Sequence, residues 1–394
     1  MKRTEDDIVL KLLHTADWHL GRRFPRFSPE AARTLSRARR DVLERIFHEA
    51  ERNQVDAVLC AGDLFDTAQP DEDFKSALLQ VLNGLKWKHR PVFLLPGNHD
   101  PLVPESVWKD PSFRKALPDF VRVVDRELLE VPLPNDCVLY AVPCLSRAGQ
   151  SDPTAAIPLR AAGDARVRIG LVHGSTFDAG DWKTNFPISK DAALERGLDY
   201  LAIGDTHGFR FVPPDRKQPP TIYPGTPEPT AFDEHDAGHV ALVFINRARQ
   251  AMVQKRPVGQ WKWEELTVKS MDELRLLARR TDLAARVLRL TLDLRVSTVE
   301  YQEAEALLGT LEGSASTHAR VGVLELDREK LSLDLTHLDA LAAGLPAVLQ
   351  AAVKRLRLEA QKPEQRAAAE RALFHLFSLS KHPGPLAGAK GGAA

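Results

Sequence analysis

Two side chains that can bind a metal follow an apolar segment near the start of the chain. In the stretch HTADWHLG, residues 14–21, Asp17 and His19 offer an oxygen ligand and a nitrogen ligand one residue apart. A single pair of this kind is common in surface turns and decides nothing about function. Its meaning depends on whether the ligands that complete a metal site occur further along the chain.

Further apolar segments end in the same way, with carboxylate, imidazole or amide groups. The additional candidate ligands are Asp63, with Asp66 nearby, Asn98, His99, His173, Asp205 and His207. Most have a glycine close by, which allows the backbone to turn tightly and approach a ligand. Mixed oxygen and nitrogen ligands without cysteine suit Mn²⁺, Fe²⁺, Zn²⁺ or Mg²⁺. Because the ligands suffice for two ions, the sequence predicts a dinuclear site that clamps a phosphate and activates water.

The elements that must position these groups alternate along the chain. Apolar runs typical of buried strands lie at 8–14, 56–63, 91–100, 166–174 and 199–208. Helical periodicity occupies 30–52 and 71–88. This alternation predicts an α/β layered fold, in which ligands gather beyond the carboxyl ends of the strands. The candidate ligands lie at those ends.

Length and composition limit the class of protein. The 394 residues, of which 43% are hydrophobic and 27% charged, predict two domains or one large domain with an appendage. The net charge is zero, so only local patches can attract a polyanion. Cys60, Cys137 and Cys144 lack zinc-cluster spacing and are expected to be free thiols in a reducing compartment. No signal peptide or membrane span is recognised, so the expected location is the cytoplasm.

The predicted elements divide the chain into four segments. We expect a main domain at 1–268, a small α+β domain at 269–335, a helical segment at 336–380 and a disordered tail at 381–394. The helical segment is rich in alanine and leucine. This composition suits either docking of a partner protein or packing against the main domain.

The motifs together resemble those of the calcineurin-like metallophosphoesterases. The resemblance rests on Asp17-x-His19, Gly62-Asp63, Gly97-Asn98-His99-Asp100, His173 and the Gly-x-x-His of 204–207. The stretches HTADWHLG, AGDLFDTAQP and YPGTPEPTAFDE are similar, more narrowly, to the SbcD-type nucleases of DNA repair. The similarity covers about residues 8–245. It implies a four-layer β-sandwich flanked by helices, followed by a small α+β capping domain and C-terminal helices.

The resemblance also implies a role for each candidate residue. One metal would be held by Asp17, His19 and His207, and the other by Asn98, His173 and Asp205. Asp63 would bridge both. His99 would face the scissile phosphate and protonate the leaving oxygen, a task within reach of imidazole. Asp100 would either orient that imidazole or be a plain turn residue.

The activity implied is that of a DNA phosphodiesterase with exonuclease or endonuclease action in DNA repair. Two divalent ions are expected, with Mn²⁺ favoured and Mg²⁺ or Fe²⁺ as alternatives. The expected partners are DNA, a second copy of the chain in a homodimer, and an SbcC-type coiled-coil ATPase acting in trans.

One position departs from the family pattern. The family usually has Gly-His-x-His where this chain has Gly204-Asp205-Thr206-His207, so a carboxylate replaces an imidazole. The added negative charge and harder ligand favour Mn²⁺ or Mg²⁺ over Zn²⁺. A site with one metal or reduced activity is the alternative that this replacement leaves open.

Arginines follow the first metal loop directly. Arg22 and Arg23 are the candidates for binding substrate, because guanidinium groups bind phosphates bidentately and nearby phenylalanines can stack bases. The arginines of the following helix, among them Arg39 and Arg45, suit either a solvated face or further phosphate contacts. Two rival functions stay open: hydrolysis of small phosphoesters, and DNA binding by a protein with a weakened metal site.

Overall fold

The computed structural model of the chain describes residues 7–86, 90–177, 184–312, 320–334 and 345–381. Two compact units divide at residue 262: Met1–Lys262 and Trp263–Ala394. The predicted main domain ended later, at 268, and the predicted helical segment falls within the second unit. The tail expected to be disordered at 381–394 lies, apart from residue 381, outside the described residues.

Two six-stranded sheets form the frame of the first unit. The first sheet contains, in spatial order, β14 (Ala251–Pro257), β13 (His239–Asn246), β1 (Ile8–Thr15), β2 (Ala57–Cys60), β3 (Val92–Leu94) and β4 (Val121–Val123). Strands β1 to β4 are parallel, whereas β13 pairs antiparallel with β1 and β14 antiparallel with β13. The carboxyl ends of β1, β2 and β3 therefore lie at one edge of the sheet.

The second sheet has the same number of strands and a similar parallel centre. It contains, in spatial order, β11 (Arg210–Val212), β12 (Thr221–Tyr223), β10 (Tyr200–Gly204), β7 (Val167–His173), β6 (Cys137–Val142) and β5 (Leu129–Leu133). Strands β12, β10, β7 and β6 are parallel, and the outer strands β11 and β5 are antiparallel to their neighbours. A separate two-stranded ladder joins β8 (Thr176–Phe177) to β9 (Ile188–Ser189).

Four layers result from packing these sheets against each other and against helices. One apolar core joins both sheets and includes Leu59 of β2 and Ile169 of β7. Outside the first sheet pack α1 (Pro29–Arg52) and α2 (Glu72–Gly84), and outside the second packs the short α4 (Ala192–Glu195). Another short helix, α3 (Pro111–Ala116), also contributes to the core of the first sheet. The predicted α/β class and four-layer sandwich are confirmed.

Helix α1 shows how the sequence sets these layers. It begins after Ser28, whose hydroxyl accepts the N–H of Ala31 at 3.2 Å, and has proline at its first position. Buried residues recur at the spacing of one helical face and include Leu35, Val42 and Ile46. The helix therefore covers the outer face of the first sheet and fixes the loop that connects it to β1.

The second unit is an α+β structure with its own core. Its strands are β15 (Lys262–Val268), β16 (Arg286–Leu292), β17 (Arg295–Val296), β18 (Val323–Asp327) and β19 (Ser332–Leu333), and its helices are α5 (Met271–Arg279), α6 (Thr298–Glu312), α7 (Ala347–Glu359) and α8 (Arg366–Lys381). Strands β15, β16 and β18 form one sheet, and β17 pairs with β19. Among the helices of the described residues, none is both long and apolar enough to cross a membrane.

Removing side-chain volume from the core between the sheets should cost stability. We expect Leu59→Ala to lower the free energy of unfolding by about 2–5 kcal/mol, since Leu59 has no exposed surface. Leu159→Ala is the control, because Leu159 is 65% exposed and its truncation should change stability by about 0.5 kcal/mol or less. Urea unfolding of both variants measures the difference. Equal midpoints would contradict the packing described for β2.

Candidate metal centre

The predicted ligands converge at the carboxyl ends of five strands. Asp17 and His19 follow β1, Asp63 follows β2, and Asn98 follows β3; His173 ends β7, and Asp205 and His207 follow β10. The loop after each strand is short, so rigid neighbouring strands determine where the side chains lie. The side chains gather at two positions, called here the first and second clusters, and Asp63 lies between them. The structure also brings ligand atoms of His19, Asp66 and His99 within 4.8 Å of one another.

The first cluster consists of Asp17, His19 and His207, whose ligand atoms lie within 4.8 Å of one another. The Nε2 atoms of the two histidines are 3.1 Å apart. Burial lowers the pKa of His19 to about 4, so its ring is neutral at physiological pH. A separation of this size fits two nitrogens that share one cation at about 2.0–2.1 Å from each.

A buried carboxylate determines which nitrogen of His207 is free. Glu234 Oε1 lies 2.5 Å from His207 Nδ1. Burial would raise the pKa of Glu234, but the interactions with His207 and Thr230 outweigh it and lower this pKa to about 2. An ionised carboxylate only accepts hydrogen bonds, so Nδ1 carries the proton and, in the neutral ring, Nε2 carries a lone pair. Nε2 is therefore the atom that can bind a metal.

The second cluster pairs two hydrogen-bond acceptors. His173 Nδ1 lies 2.8 Å from the carbonyl oxygen of Ala61, which can only accept, so Nδ1–H is the donor. In the neutral ring, Nε2 is then unprotonated, yet it lies 2.8 Å from Asn98 Oδ1, another acceptor. Asp205 Oδ1 is 3.8 Å from the same nitrogen. A cation between these atoms would satisfy both lone pairs, and their chemistry fits a hard divalent ion.

Asp63 connects the two clusters through its two oxygens. Oδ1 is 3.5 Å from His173 Nε2, and Oδ2 is 3.7 Å from His19 Nε2. Burial opposes ionisation of Asp63, but His173, His19 and His99 outweigh it and lower the pKa of the carboxyl. Asp63 is thus a buried carboxylate with one oxygen directed to each cluster, which is the arrangement that a bridging ligand requires.

The carboxylates of the site crowd one another. The pKa of Asp17 is raised by burial and by the negative charges of Asp63, Asp205 and Glu234. The backbone N–H of Asp205 partly offsets this effect by donating to Asp17 Oδ1 at 3.0 Å. Divalent cations would supply the positive charge that this set of carboxylates lacks, so the residues present fit a site for two divalent metal ions.

Four of the ligand residues have a left-handed backbone. The φ angles are 54° at Asp17, 43° at His19, 52° at Asp63 and 110° at Asp205. Such conformations are unfavourable for residues with a side chain and recur at functional sites. Hydrogen bonds between loops hold them, including Asp17 N–H to the Gly62 carbonyl at 3.0 Å and His19 N–H to the Asp63 carbonyl at 2.9 Å.

Arg39 donates hydrogen bonds to the backbone of the loop that contains Asp17 and His19, called here the first metal loop. Its side chain is buried and donates to the carbonyl oxygens of Asp17, Trp18 and His19, as well as to that of Glu228. Burial lowers its pKa to about 10, so it remains a cation at neutral pH. The interpretation of Arg39 as a solvated or phosphate-binding residue was therefore wrong: a helix pattern cannot reveal carbonyl partners from a distant loop.

Arg45 also has a structural partner. Its Nη2 lies 2.8 Å from Oε2 of the buried Glu228, and its Nε donates to the carbonyl of Val258 at 2.6 Å. Arg22 and Arg23, by contrast, lie at the surface and line a cavity of about 470 Å³ together with Asp66 and Phe74. Arg22 Nη1 is 3.5 Å from Asp66 Oδ1. Of the predicted arginines that lie at the surface, Arg22 and Arg23 are thus close to Asp66 of the site.

His99 lies beside the clusters and is the most exposed of the four imidazoles at the site. Its side chain is 38% exposed, against 27% for His207 and 3% or less for His19 and His173. Its Nδ1 lies 3.3 Å from the carbonyl oxygen of Asp66, and its backbone N–H donates to Asp63 Oδ1 at 2.8 Å. Its Nδ1 is also 3.8 Å from the carboxylate oxygen Oδ1 of Asp66.

Asp100 has a different position from the one expected of a partner for His99. Its buried carboxylate accepts the N–H groups of Gly97 at 2.7 Å and of Leu64 and Phe65 at 3.0 Å each. None of the hydrogen bonds that the structure describes for this carboxylate reaches the imidazole of His99. Asp100 instead ties the loop after β3 to the loop after β2, so the alternative of a structural turn residue describes its geometry.

Close packing at Gly62 provides a test of the site. We expect Gly62→Ala to weaken metal binding, because a Cβ there would lie 2.3 Å from His173 Nδ1 and displace that ring. Gly163→Ala is the matched control: both glycines have positive φ, at 90° and 82°, but no atom lies within 4 Å of a Cβ at 163. In both variants the free energy of unfolding should fall by about 1–2 kcal/mol, because alanine is strained in a left-handed backbone conformation. Mn²⁺ titration by calorimetry should show a reduced stoichiometry for Gly62→Ala alone; equal stoichiometries would contradict the prediction.

Comparison with known proteins agrees with this site. The calcineurin-like phosphoesterase family matches residues 10–209, just over half of the 394 residues. The uncharacterized metallophosphoesterase YhaO of Bacillus subtilis is 26% identical over 242 residues, which cover 60% of this chain and 58% of YhaO. The SbcD component of the SbcCD nuclease of the same organism is 25% identical over 292 residues, covering 66% of this chain and 70% of that protein.

A shorter part of the chain is similar to a second nuclease component. The SbcD component of the SbcCD nuclease of Escherichia coli K12 is 34% identical over 91 residues, which cover 23% of this chain and 21% of that protein. The chain thus spans less than two thirds of YhaO and of the Escherichia coli protein. The family match and the two clusters of ligands agree with each other, and the chain belongs to the calcineurin-like phosphoesterases.

Proposed function

We propose that this chain is a divalent-metal-dependent DNA phosphodiesterase of the SbcD type. The observation that carries the proposal is the pair of ligand clusters joined by the buried carboxylate of Asp63, because a cation shared within each cluster satisfies the lone pairs that face one another there. Similarity to two nuclease components supports DNA as the substrate. The proposed action is exonucleolytic or endonucleolytic cleavage during DNA repair.

Seven side chains would hold the metals. One ion would be bound by Asp17, His19 and His207, the other by Asn98, His173 and Asp205, and both by Asp63. Two divalent ions, when bound, polarise a phosphoryl group and lower the pKa of water. Four carboxylates lie in or next to the site and favour a hard ion such as Mn²⁺ or Mg²⁺. They belong to Asp17, Asp63, Asp205 and the nearby Glu234.

His99 is proposed to donate a proton to the leaving oxygen. The Asp66 carbonyl accepts from Nδ1, which leaves Nε2 of the imidazolium as the atom that can deliver a proton. The exposure of this ring suits contact with a substrate, whereas the burial of His19 and His173 suits metal ligation. Arg22 and Arg23 would bind phosphates of the same strand in the adjacent cavity.

The proposed partners are DNA, a second copy of the chain and an SbcC-type ATPase. Helix α7 exposes two large apolar side chains, Val348 and Leu358, which are 80% and 62% accessible. The helix lies in the alanine- and leucine-rich segment for which docking of a partner protein is expected. We therefore propose α7 as part of the surface that binds the ATPase.

The proposed function predicts cleavage of DNA ends. End-labelled linear and hairpin duplexes should be shortened or opened in Mn²⁺, and Asp63→Asn should abolish this activity because it removes the shared carboxylate charge. Adding a candidate ATPase should increase the rate.

Rapid turnover of a small phosphoester with no cutting of either duplex would instead identify a small-molecule phosphodiesterase or phosphatase. Absence of both activities, with fewer than about one Mn²⁺ per chain, would favour a DNA-binding protein without catalysis.

The role of His99 is tested by separating metal binding from cleavage. We expect His99→Ala to bind two Mn²⁺ ions but to cleave DNA about 10²–10⁴-fold more slowly, the usual contribution of a general acid. Calorimetry gives the stoichiometry and a labelled duplex gives the rate. Loss of one Mn²⁺ would show that His99 is a ligand, and an unchanged rate would remove it from catalysis.

The carboxylate at 205 should affect metal preference more than activity. We expect Asp205→His to keep both metals, to retain or raise activity in Mn²⁺, and to increase activity in Zn²⁺ relative to Mn²⁺, because imidazole is a softer ligand. Parallel rate measurements in the two ions test this ratio. Complete inactivation in both ions would mean that the pocket depends on the carboxylate itself.

A further inference from the structure

Glu234 is a buried carboxylate on the outer side of the first cluster. It lies in the loop between β12 and β13, and its side chain is 8% exposed. Oε1 lies 2.5 Å from Nδ1 of His207. The contact is made on the side of the ring opposite Nε2, the atom that faces His19. Glu234 is therefore placed to act on the site through His207 rather than by touching a metal or a substrate.

The carboxylate of Glu234 is itself held in one orientation. Oε1 accepts the hydroxyl of Thr230 at 2.5 Å. Oε2 accepts the backbone N–H groups of Thr230 at 2.5 Å and Ala231 at 3.2 Å. Three donors from its own loop thus occupy both oxygens, and little freedom remains for the side chain to turn away from His207.

His207 is the most exposed of the three histidines that are proposed as metal ligands. Its side chain is 27% exposed, whereas those of His19 and His173 are 3% and 0% exposed. The backbone carbonyl of Ala61 fixes the proton of His173 on Nδ1, and no side-chain substitution can remove that carbonyl. For His207 the same task falls to a side chain. An acceptor opposite the metal-binding nitrogen fixes the tautomer and orientation of an imidazole and raises its affinity for metal.

We propose that Glu234 is a positioning residue for His207, which keeps the ring proton on Nδ1 and directs the Nε2 lone pair toward Asp17 and His19. The first metal position would consequently depend on Glu234, while the second position, at His173 and Asn98, would not. This inference rests on the proposed dinuclear site. It adds that a loop carboxylate sets the affinity of one position selectively.

Mn²⁺ titration of the full chain tests this selectivity. In Glu234→Gln we expect one of the two Mn²⁺ affinities to fall about 10–100-fold and the other to stay at the wild-type value. The matched control is Glu228→Gln, which changes a carboxylate in the same segment that accepts backbone N–H groups of Gln260 and Trp261 and touches no proposed ligand side chain. The control should keep both affinities. Wild-type affinities in Glu234→Gln, or an equal loss at both positions, would overturn the proposal.

A spectroscopic measurement on the wild-type protein provides a second test, in which a variant serves only to assign the signals. In the metal-free chain, ¹⁵N NMR of the imidazoles, assigned with His207→Gln, should show the His207 proton on Nδ1. Detection of that proton on Nε2 would overturn the proposal. Both tests are made without DNA, so they are independent of the proposed substrate: a chain that passes them but cleaves no duplex would refute the nuclease activity and leave the role of Glu234 intact.

Discussion

The rest of the site depends on the close approach of hydrogen-bond acceptors, imidazole nitrogens and carboxylate and amide oxygens, at the carboxyl ends of parallel strands. His173 Nε2 and Asn98 Oδ1 are 2.8 Å apart, and the Nε2 atoms of His19 and His207 are 3.1 Å apart. When an imidazole ring is neutral and its Nδ1 donates a hydrogen bond, its Nε2 is an acceptor. Under that condition, both atoms in each of these contacts are acceptors. Asp63 adds a carboxylate between them. Such an arrangement is unfavourable in the absence of cations, so the fold must supply enough stability elsewhere to hold the ligands together.

That stability comes from groups that bind backbone atoms. Arg39 donates to the carbonyls of the first metal loop, and Asp100 accepts three N–H groups that join the loops after β2 and β3. Both side chains are buried, and each satisfies the backbone polar groups that face it. Because backbone contacts persist whichever metal binds, they can keep Asp17, His19 and Asp63 in left-handed conformations that their side chains disfavour. The ligands are thus preorganised by residues that cannot themselves reach a substrate.

Local sequence was sufficient to predict the side chains that converge and insufficient to predict the residues that hold their loops. Each ligand follows an apolar run, so the rule that sites form at carboxyl ends of strands led directly to them. Arg39 and Glu234 have partners in other loops, as far as 189 residues away in the case of Arg39 and Glu228, and helix or loop patterns carry no trace of such contacts. Strands β4, β5 and β6 were not predicted, because their short runs lie beside turns and carry no ligand. Strand β15 was placed in the first domain because its partner β16 could not be identified from alternation alone.

Asp205 shows how one replacement can be accommodated within this frame. Its backbone N–H donates to Asp17 in the first cluster, while its carboxylate oxygen lies 3.8 Å from His173 Nε2 in the second. The backbone contact requires only the left-handed conformation at this position, with φ of 110°, and not a particular side chain. A carboxylate can therefore replace imidazole while the backbone hydrogen bond to Asp17 is kept. The cost is electrostatic, since the added negative charge contributes to the raised pKa of Asp17. In the proposed dinuclear site, a hard divalent ion at the second position would offset that charge better than a soft one, so the proposed effect of residue 205 is on metal preference and not on the arrangement of the loops.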